Sequence, residues 1–200
     1  MVHPDTELRH INNEIGYGVV ATRFIPRGTI TWASDSLDRA FPPGFEQTLN
    51  PVLRHLFDKY AYMNGDGESI LCWDHARFIN HSCEATSLSP GFDFELAVRD
   101  VQAGEQLTDD YGTLNLSEDF PCRCLSPQCR RVLRPDDIER HGKAWDALIA
   151  SAFPLIGRVQ QPLWPLVKER DQVEDVLNGT SPIPSCFRHY RKLNLADLNR

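Results

Sequence analysis

Arg77-Phe78-Ile79-Asn80-His81-Ser82-Cys83 is the stretch that decides the fold. An apolar run ends in an amide, an imidazole, a hydroxyl and a thiol. Taken alone, the string reads as a polar loop after a strand. Three companions change that reading. Upstream lies Gly16-Tyr17-Gly18, a Gly-rich bend that runs into Val19-Val20. Downstream lies Gly104-Glu105-Gln106-Leu107-Thr108-Asp109-Asp110-Tyr111-Gly112, followed by Cys122-x-Cys124-x4-Cys129. Three cysteines this close in a reduced protein point to a metal first, with disulfide pairing as the alternative.

Around these motifs the first 130 residues read as many short strands. Arg23-Phe24-Ile25-Pro26-Arg27-Gly28 and Arg99-Asp100-Val101-Gln102-Ala103-Gly104 share one cadence of strand, tight Gly turn and short strand. Strands are expected over 29–33 and 94–98. A short helix is expected between Asn50 and Tyr62, with Val52, Leu53, Leu56 and Phe57 on one face. The Asn64-Gly65-Asp66-Gly67 turn predicts a hairpin joining 60–62 to 69–73. After Cys129 the pattern becomes helical. Pro135-Asp136-Asp137 suits a helix start, and Trp145, Leu148, Ile149, Ala152 and Phe153 follow helical spacing. Leu166, Val173, Val176 and Leu177 form a second apolar face that stops at Asn178-Gly179.

The chain has 200 residues, 41% hydrophobic and 24% charged, with a formal net charge of −7. That composition excludes disorder as the main theme, and the acidic balance argues against a duplex-binding surface. No apolar run reaches the roughly 18 residues of a spanning helix. Met1-Val2-His3-Pro4-Asp5 shows no basic and apolar leader, so the expected setting is intracellular, cytoplasmic or nuclear according to the source. Cys72 sits in a strand-like run and reads as a buried core thiol, Cys186 has no assigned role, and Trp145 and Trp164 read as core anchors.

The order and separation of the four motifs resemble the SET-domain protein lysine methyltransferases over about residues 10 to 130. The resemblance implies a mainly β core of short sheets with a threaded, pseudoknot-like segment, plus a helical C-terminal extension. It divides the chain into a SET core (1–117), a post-SET zinc-binding segment (118–131) and the extension (132–200). It implies that Gly16, Tyr17 and Gly18 cup the methionine part of S-adenosylmethionine and that Asn80 and His81 hold the adenine end. Tyr111 matches the active-site tyrosine, beside both cofactor and acceptor. Cys83, Cys122, Cys124 and Cys129 match the ligands of a closed, structural Zn2+ site. Tyr60, Tyr62 and Asp109 are candidates for the lysine channel, with ordinary strand packing equally open for the tyrosines.

The implied partner is a protein that presents a lysine, with neither nucleic acid nor membrane expected. Methyl transfer from a sulfonium to an amine is an in-line displacement, so it asks for alignment and a neutral nucleophile. A phenol is a poor base at neutral pH, so the expected role of Tyr111 is to orient the amine and line the pore. The chain departs from the family where Glu84-Ala85-Thr86 replaces x-Pro-Asn and where Asp109 replaces an aromatic residue. Arg130-Arg131 also stands in place of Arg-Gly. The first two departures favour the alternative, a non-catalytic, zinc-stabilised binding module. Asp109 and Asp110 read either as a solvated strand end or as an attraction for a basic peptide.

Overall fold

The computed structural model describes residues 1–191. Short strands dominate the first two thirds, as the Gly-punctuated sequence predicts. β1 (Thr6–Asn12) pairs antiparallel with β2 (Gly16–Ala21), and a register shift near His10 precedes the Gly16 bend. β3 (Ile30–Ala33) is followed by β4 (Arg39–Phe41) and by helix α1 (Pro51–Tyr60). Asn50 caps α1 by accepting from the Leu53 N–H at 3.0 Å, and Pro51 occupies a first-turn position where its missing donor costs nothing. β5 (Tyr62–Met63) and β6 (Ser69–Leu71) form the hairpin with shorter arms than expected, since Tyr60 is the last residue of α1, and β4 flanks β6 on its other side.

β7 (Asn80–His81) then leads to β8 (Ser87–Leu88), β9 (Phe94–Ala97) and β10 (Thr108–Asp109). β3, β9 and β8 form a second three-stranded sheet with β9 central. β10 runs parallel to β7, with Thr108 opposite Asn80 and Asp109 opposite His81. β11 (Phe120–Pro121) pairs with β12 (Val132–Leu133) across the cysteine segment.

The two related cadences meet each other. The Ile25 N–H donates to the Val101 carbonyl and the Val101 N–H donates back to Ile25, both at 2.9 Å. The bonds on either side are matched in the same way. Gly28 donates to Ala97 as Gly104 donates to Ala21, and Ala97 donates to Thr29 as Ala21 donates to Glu105. Both turn glycines have φ of 87°. The sequence echo is therefore a local two-fold clasp between distant arms. Ile25 and Val101, each fully buried, form its floor with Val19, Ala21 and Leu107.

The helical tail covers the β3–β9–β8 sheet. In α2 (Asp137–Ala152), Ile138, Trp145, Ile149 and Ala152 lie on one buried stripe at helical spacing. They pack with Leu88, Phe92, Phe94 and Leu96 of the sheet and with Phe153 and Ile156 beyond the helix. α3 (Arg170–Leu177) adds Val173 and ends as expected at Asn178, with Gly179 left-handed at φ 75°. Each fully buried large apolar side chain here contributes roughly 1.5–3 kcal/mol.

Cys72 and Trp145 are buried as expected, Trp164 is partly buried against the same core as Trp145, and Cys186, which had no assigned role, is buried as well. Two expectations fail. Of the α1 face only Phe57 is covered, whereas Val52, Leu53 and Leu56 are exposed, because Phe57 alone reaches the Phe41 and Phe45 rings. Leu148 is likewise on the exposed side of α2. The part of the 132–200 stretch beyond residue 191 lies outside the described residues.

Candidate active site and metal centre

Asn80 locks the Gly-rich bend to the motif segment. Its side-chain amide donates to the Tyr17 carbonyl at 3.1 Å and to Gln106 Oε1 at 3.0 Å. A Cβ on Gly18 would fall 2.5–2.9 Å from Gln106, Asn80 and Ile11, so Gly18 makes room for this lock. Gly16 differs: its φ is 82° and a Cβ there would meet nothing within 4 Å. Of the two glycines expected to admit a ligand, Gly16 faces open space and Gly18 serves side-chain packing. Tyr17 is 52% exposed and sits edge-on to His10 and Phe78.

The parallel β7–β10 pair brings Tyr111 beside this bend. The Tyr111 hydroxyl donates to the Ile79 carbonyl at 2.7 Å, and its backbone N–H donates to His81 Nδ1 at 3.2 Å. Burial and the charge of Asp109 push the Tyr111 phenol well above its ordinary range, so it stays neutral. With Nδ1 accepting, neutral His81 carries its proton on Nε2, which lies 3.3 Å from Cys83 Sγ. Burial, then the Arg130 charge, lower the His81 pKa to about 3, in keeping with the neutral form. His81 is therefore a bridge between the Tyr111 backbone and the thiol cluster.

Cys83, Cys122, Cys124 and Cys129 converge. Cys122 Sγ is 3.8 Å from Cys83 Sγ and 3.5 Å from Cys129 Sγ. The sulfurs of Cys83, Cys122 and Cys124 lie within 4.8 Å of one another, and Cys129 Sγ joins them through Cys122, so the soft donors present suit a zinc ion. Backbone donors aim at the sulfurs: Arg130 N–H at Cys83 (3.3 Å), Arg131 N–H at Cys129 (3.4 Å) and Cys83 N–H at Cys124 (3.5 Å). The Arg131 N–H in particular draws the Cys129 thiol down to about 7, whereas burial raises Cys83 and Cys122. His81 Nε2 also lies within 4.8 Å of the sulfurs of Cys83, Cys122 and Cys124. His81 thus stands with three of the thiols as a fourth close donor, alongside the expected set that has Cys129 in its place.

Arg130 is the residue that sequence reasoning missed. Its guanidinium pairs with Asp110 and lies 3.4 Å from Asp137 at the start of α2, over the Trp145 ring. Asp110 also accepts from the Gly112 N–H at 3.0 Å, capping the turn that carries Tyr111. One arginine thus ties the cysteine segment, the tyrosine turn and the helical tail together. Only the flanking acids could have signalled it, since each needs a cation if buried.

The solvated reading of Asp109-Asp110 is overturned: they are 7% and 2% exposed. Asp109 faces a groove of about 2000 Å³ whose walls also include Gly16, Asn80, Tyr62, Glu95 and Tyr111. Tyr62 is well enclosed there, and burial raises its phenol well above the ordinary value. Tyr60 lines the same groove with its ring 5.1 Å from Phe78. Every candidate cofactor and channel residue except Gly18 lines this one groove.

Residues 16–112 match the SET domain family. Part of the chain is similar to curated proteins. It is 41% identical to histone-lysine N-methyltransferase ash1 of Drosophila melanogaster over 28% of this chain and 3% of that protein. It is 38% identical to the H3 lysine-4 specific histone-lysine N-methyltransferase of Schizosaccharomyces pombe over 29% of this chain and 7% of that one. The chain thus spans a small fraction of the length of these relatives. Among solved structures it is similar to the methyltransferase domain of human SETMAR, with 19% identity, 66% of this chain and 58% of that chain covered, and a TM-score of 0.42. It is also similar to KRYPTONITE in complex with mCHG DNA and SAH, with 20% identity, coverage of 64% and 28%, and a TM-score of 0.43. No helix among the described residues is long and apolar enough to cross a membrane. Residues 16–112 of this chain are a SET domain.

Proposed function

We propose that this chain is an S-adenosylmethionine-dependent protein-lysine N-methyltransferase with a structural Zn2+ on Cys83, Cys122, Cys124 and Cys129. The observation that carries the reading is the β7–β10 pairing, which sets Asn80-His81 and Tyr111 on one groove with the Gly16 bend. The SET match and the methyltransferase relatives support it. When bound, S-adenosylmethionine supplies an electrophilic methyl group on a sulfonium.

The residues of the chain supply position. Gly16 gives the bend an open backbone edge, and Asn80 and Gln106 hold that bend fixed while the peptide groups of 80–81 remain beside the groove. The Tyr111 hydroxyl spends its proton on the Ile79 carbonyl, so its oxygen lone pairs are left to receive an N–H of the acceptor. This aims the nitrogen lone pair at the methyl carbon. Tyr60 and Tyr62 give the acceptor side chain an aromatic wall that excludes water. Cys83, Cys122, Cys124 and Cys129 would hold the zinc, which would tie 118–131 to the core next to His81 and so couple metal to activity through folding. On this reading 1–117 form the SET core and 132–200 the supporting extension.

The test is incubation of purified protein with labelled S-adenosylmethionine and heat-inactivated cell lysate, followed by mass spectrometry. Methyl groups on protein lysines are expected. Cofactor binding without transfer would instead establish the non-catalytic module that Glu84-Ala85-Thr86 favours.

A further inference from the structure

Two buried carboxylates line the groove beside Tyr111. Glu95 on β9 is 9% exposed and Asp109 on β10 is 7% exposed. Among the described residues neither has an ion-pair partner, and the buried Glu95 Oε2 has no hydrogen-bond partner. Asp110, one residue on, is by contrast neutralised by Arg130. One Asp109 oxygen accepts the Asp110 N–H at 2.6 Å, which fixes the carboxylate, and Asp109 is close enough to raise the Tyr111 phenol. Buried acids left without a cation destabilise a fold by several kcal/mol per ion. An entering ammonium would relieve that cost, and a hydrophobic channel would not need the pair.

We propose that Asp109, backed by Glu95, is the proton acceptor for the lysine ammonium in this groove, an inference that rests on the methyltransferase reading above. The ammonium gives one proton to an Asp109 oxygen and becomes a neutral amine. The nitrogen then bonds to the methyl carbon as the carbon–sulfur bond breaks, its electron pair staying on sulfur to leave a neutral thioether. The methylammonium product departs, and Asp109 returns its proton to solvent. The groups facing Asp109 are Glu95 from β9, His81 from β7, and Asp110 and Tyr111 on its own segment, with Arg130 behind Asp110.

Burial, and then the neighbouring Asp110 charge, raise Asp109 to about 7, so the competent, deprotonated form appears as pH rises through neutrality. The experiment is the initial rate of methyl transfer from labelled S-adenosylmethionine to heat-inactivated lysate protein between pH 6 and 10. It compares wild type, Asp109→Asn and Glu95→Gln, with cofactor affinity by calorimetry as the folding control. The wild-type rate should rise through an inflection near neutrality. Asp109→Asn should bind cofactor normally, lose that inflection and run about 10²-fold slower at pH 7. The gap should close towards pH 10, where free lysine sheds its own proton. Burial and the Asp109 charge hold the Glu95 carboxyl well above its ordinary range, so Glu95→Gln exchanges one neutral group for another and should leave the inflection in place. An Asp109→Asn profile parallel to wild type overturns this role and leaves the methyltransferase reading standing. If Asp109→Asn fails to bind cofactor, a wild-type rate with no inflection near neutrality overturns it instead. No transfer by the wild type overturns both.

Discussion

The two faces of the β core are held by different physics. The helical face is apolar: α2 and the segment after it press Ile138, Ile149, Phe153 and Ile156 onto Phe92, Phe94 and Leu96. The groove face is polar. Its geometry rests on individual bonds: Asn80 to the Tyr17 carbonyl, Tyr111 to Ile79 and His81, four thiols with their backbone donors, and Arg130 between two acids. Apolar contacts are numerous and individually replaceable. Directed bonds are few, and each fixes a position. The first face therefore supplies stability, and the second supplies alignment that the first cannot.

Metal removal should separate the faces most widely. Chelation of a structural zinc removes the link between Cys83 and 122–129, so amide exchange over 120–130 should accelerate by orders of magnitude and activity should fall, while α2 keeps its protection. Elemental analysis that finds no zinc in the purified protein would remove the basis of this contrast. Phe153→Ala should cost about 3–5 kcal/mol in urea unfolding, since the ring is 1% exposed, yet leave the metal content unchanged.

Arg130→Ala belongs to both faces. It strands Asp110 and Asp137 and should cost about 3 kcal/mol, with a loss of turnover that Phe153→Ala lacks at temperatures where both variants are folded. Tyr111→Phe should reduce kcat about 10²-fold with cofactor affinity and melting temperature near wild type; equal turnover would show that the hydroxyl does not orient the amine. Val52→Ser, on the uncovered side of α1, should change stability by about 0.5 kcal/mol or less, because the side chain is already 72% exposed.

The two faces were also unequally legible in the sequence. Periodicity located α2 and α3, because a buried stripe leaves a 3.6-residue signature. The same signature misled at α1, where amphipathic spacing exists without a partner over Val52, Leu53 and Leu56. Composition and turns found the hairpin and the echo between 23–28 and 99–104, but not that the two arms bond to each other, since pairing across distant strands leaves no local trace. The thiol cluster could be read from Cys122, Cys124 and Cys129, whereas Cys83 entered only through the family likeness. Asp109 read equally as a solvated strand end or as an attraction for a basic peptide; it does end β10, but its burial follows from a tertiary packing that spacing does not encode. Arg130 drew no role, because nothing in a linear string shows that Asp110 and Asp137 turn inwards towards it.

The clasp between those arms has a consequence for biosynthesis. Ile25 has its bonding partner only once Val101 has left the ribosome, and the Asn80 segment waits further for Thr108. Until residue 101 is made, the Ile25 edge stays open, and the two closures then follow within seven residues of each other. The non-local pairing places this core among topologies whose closure is slow relative to local helix formation.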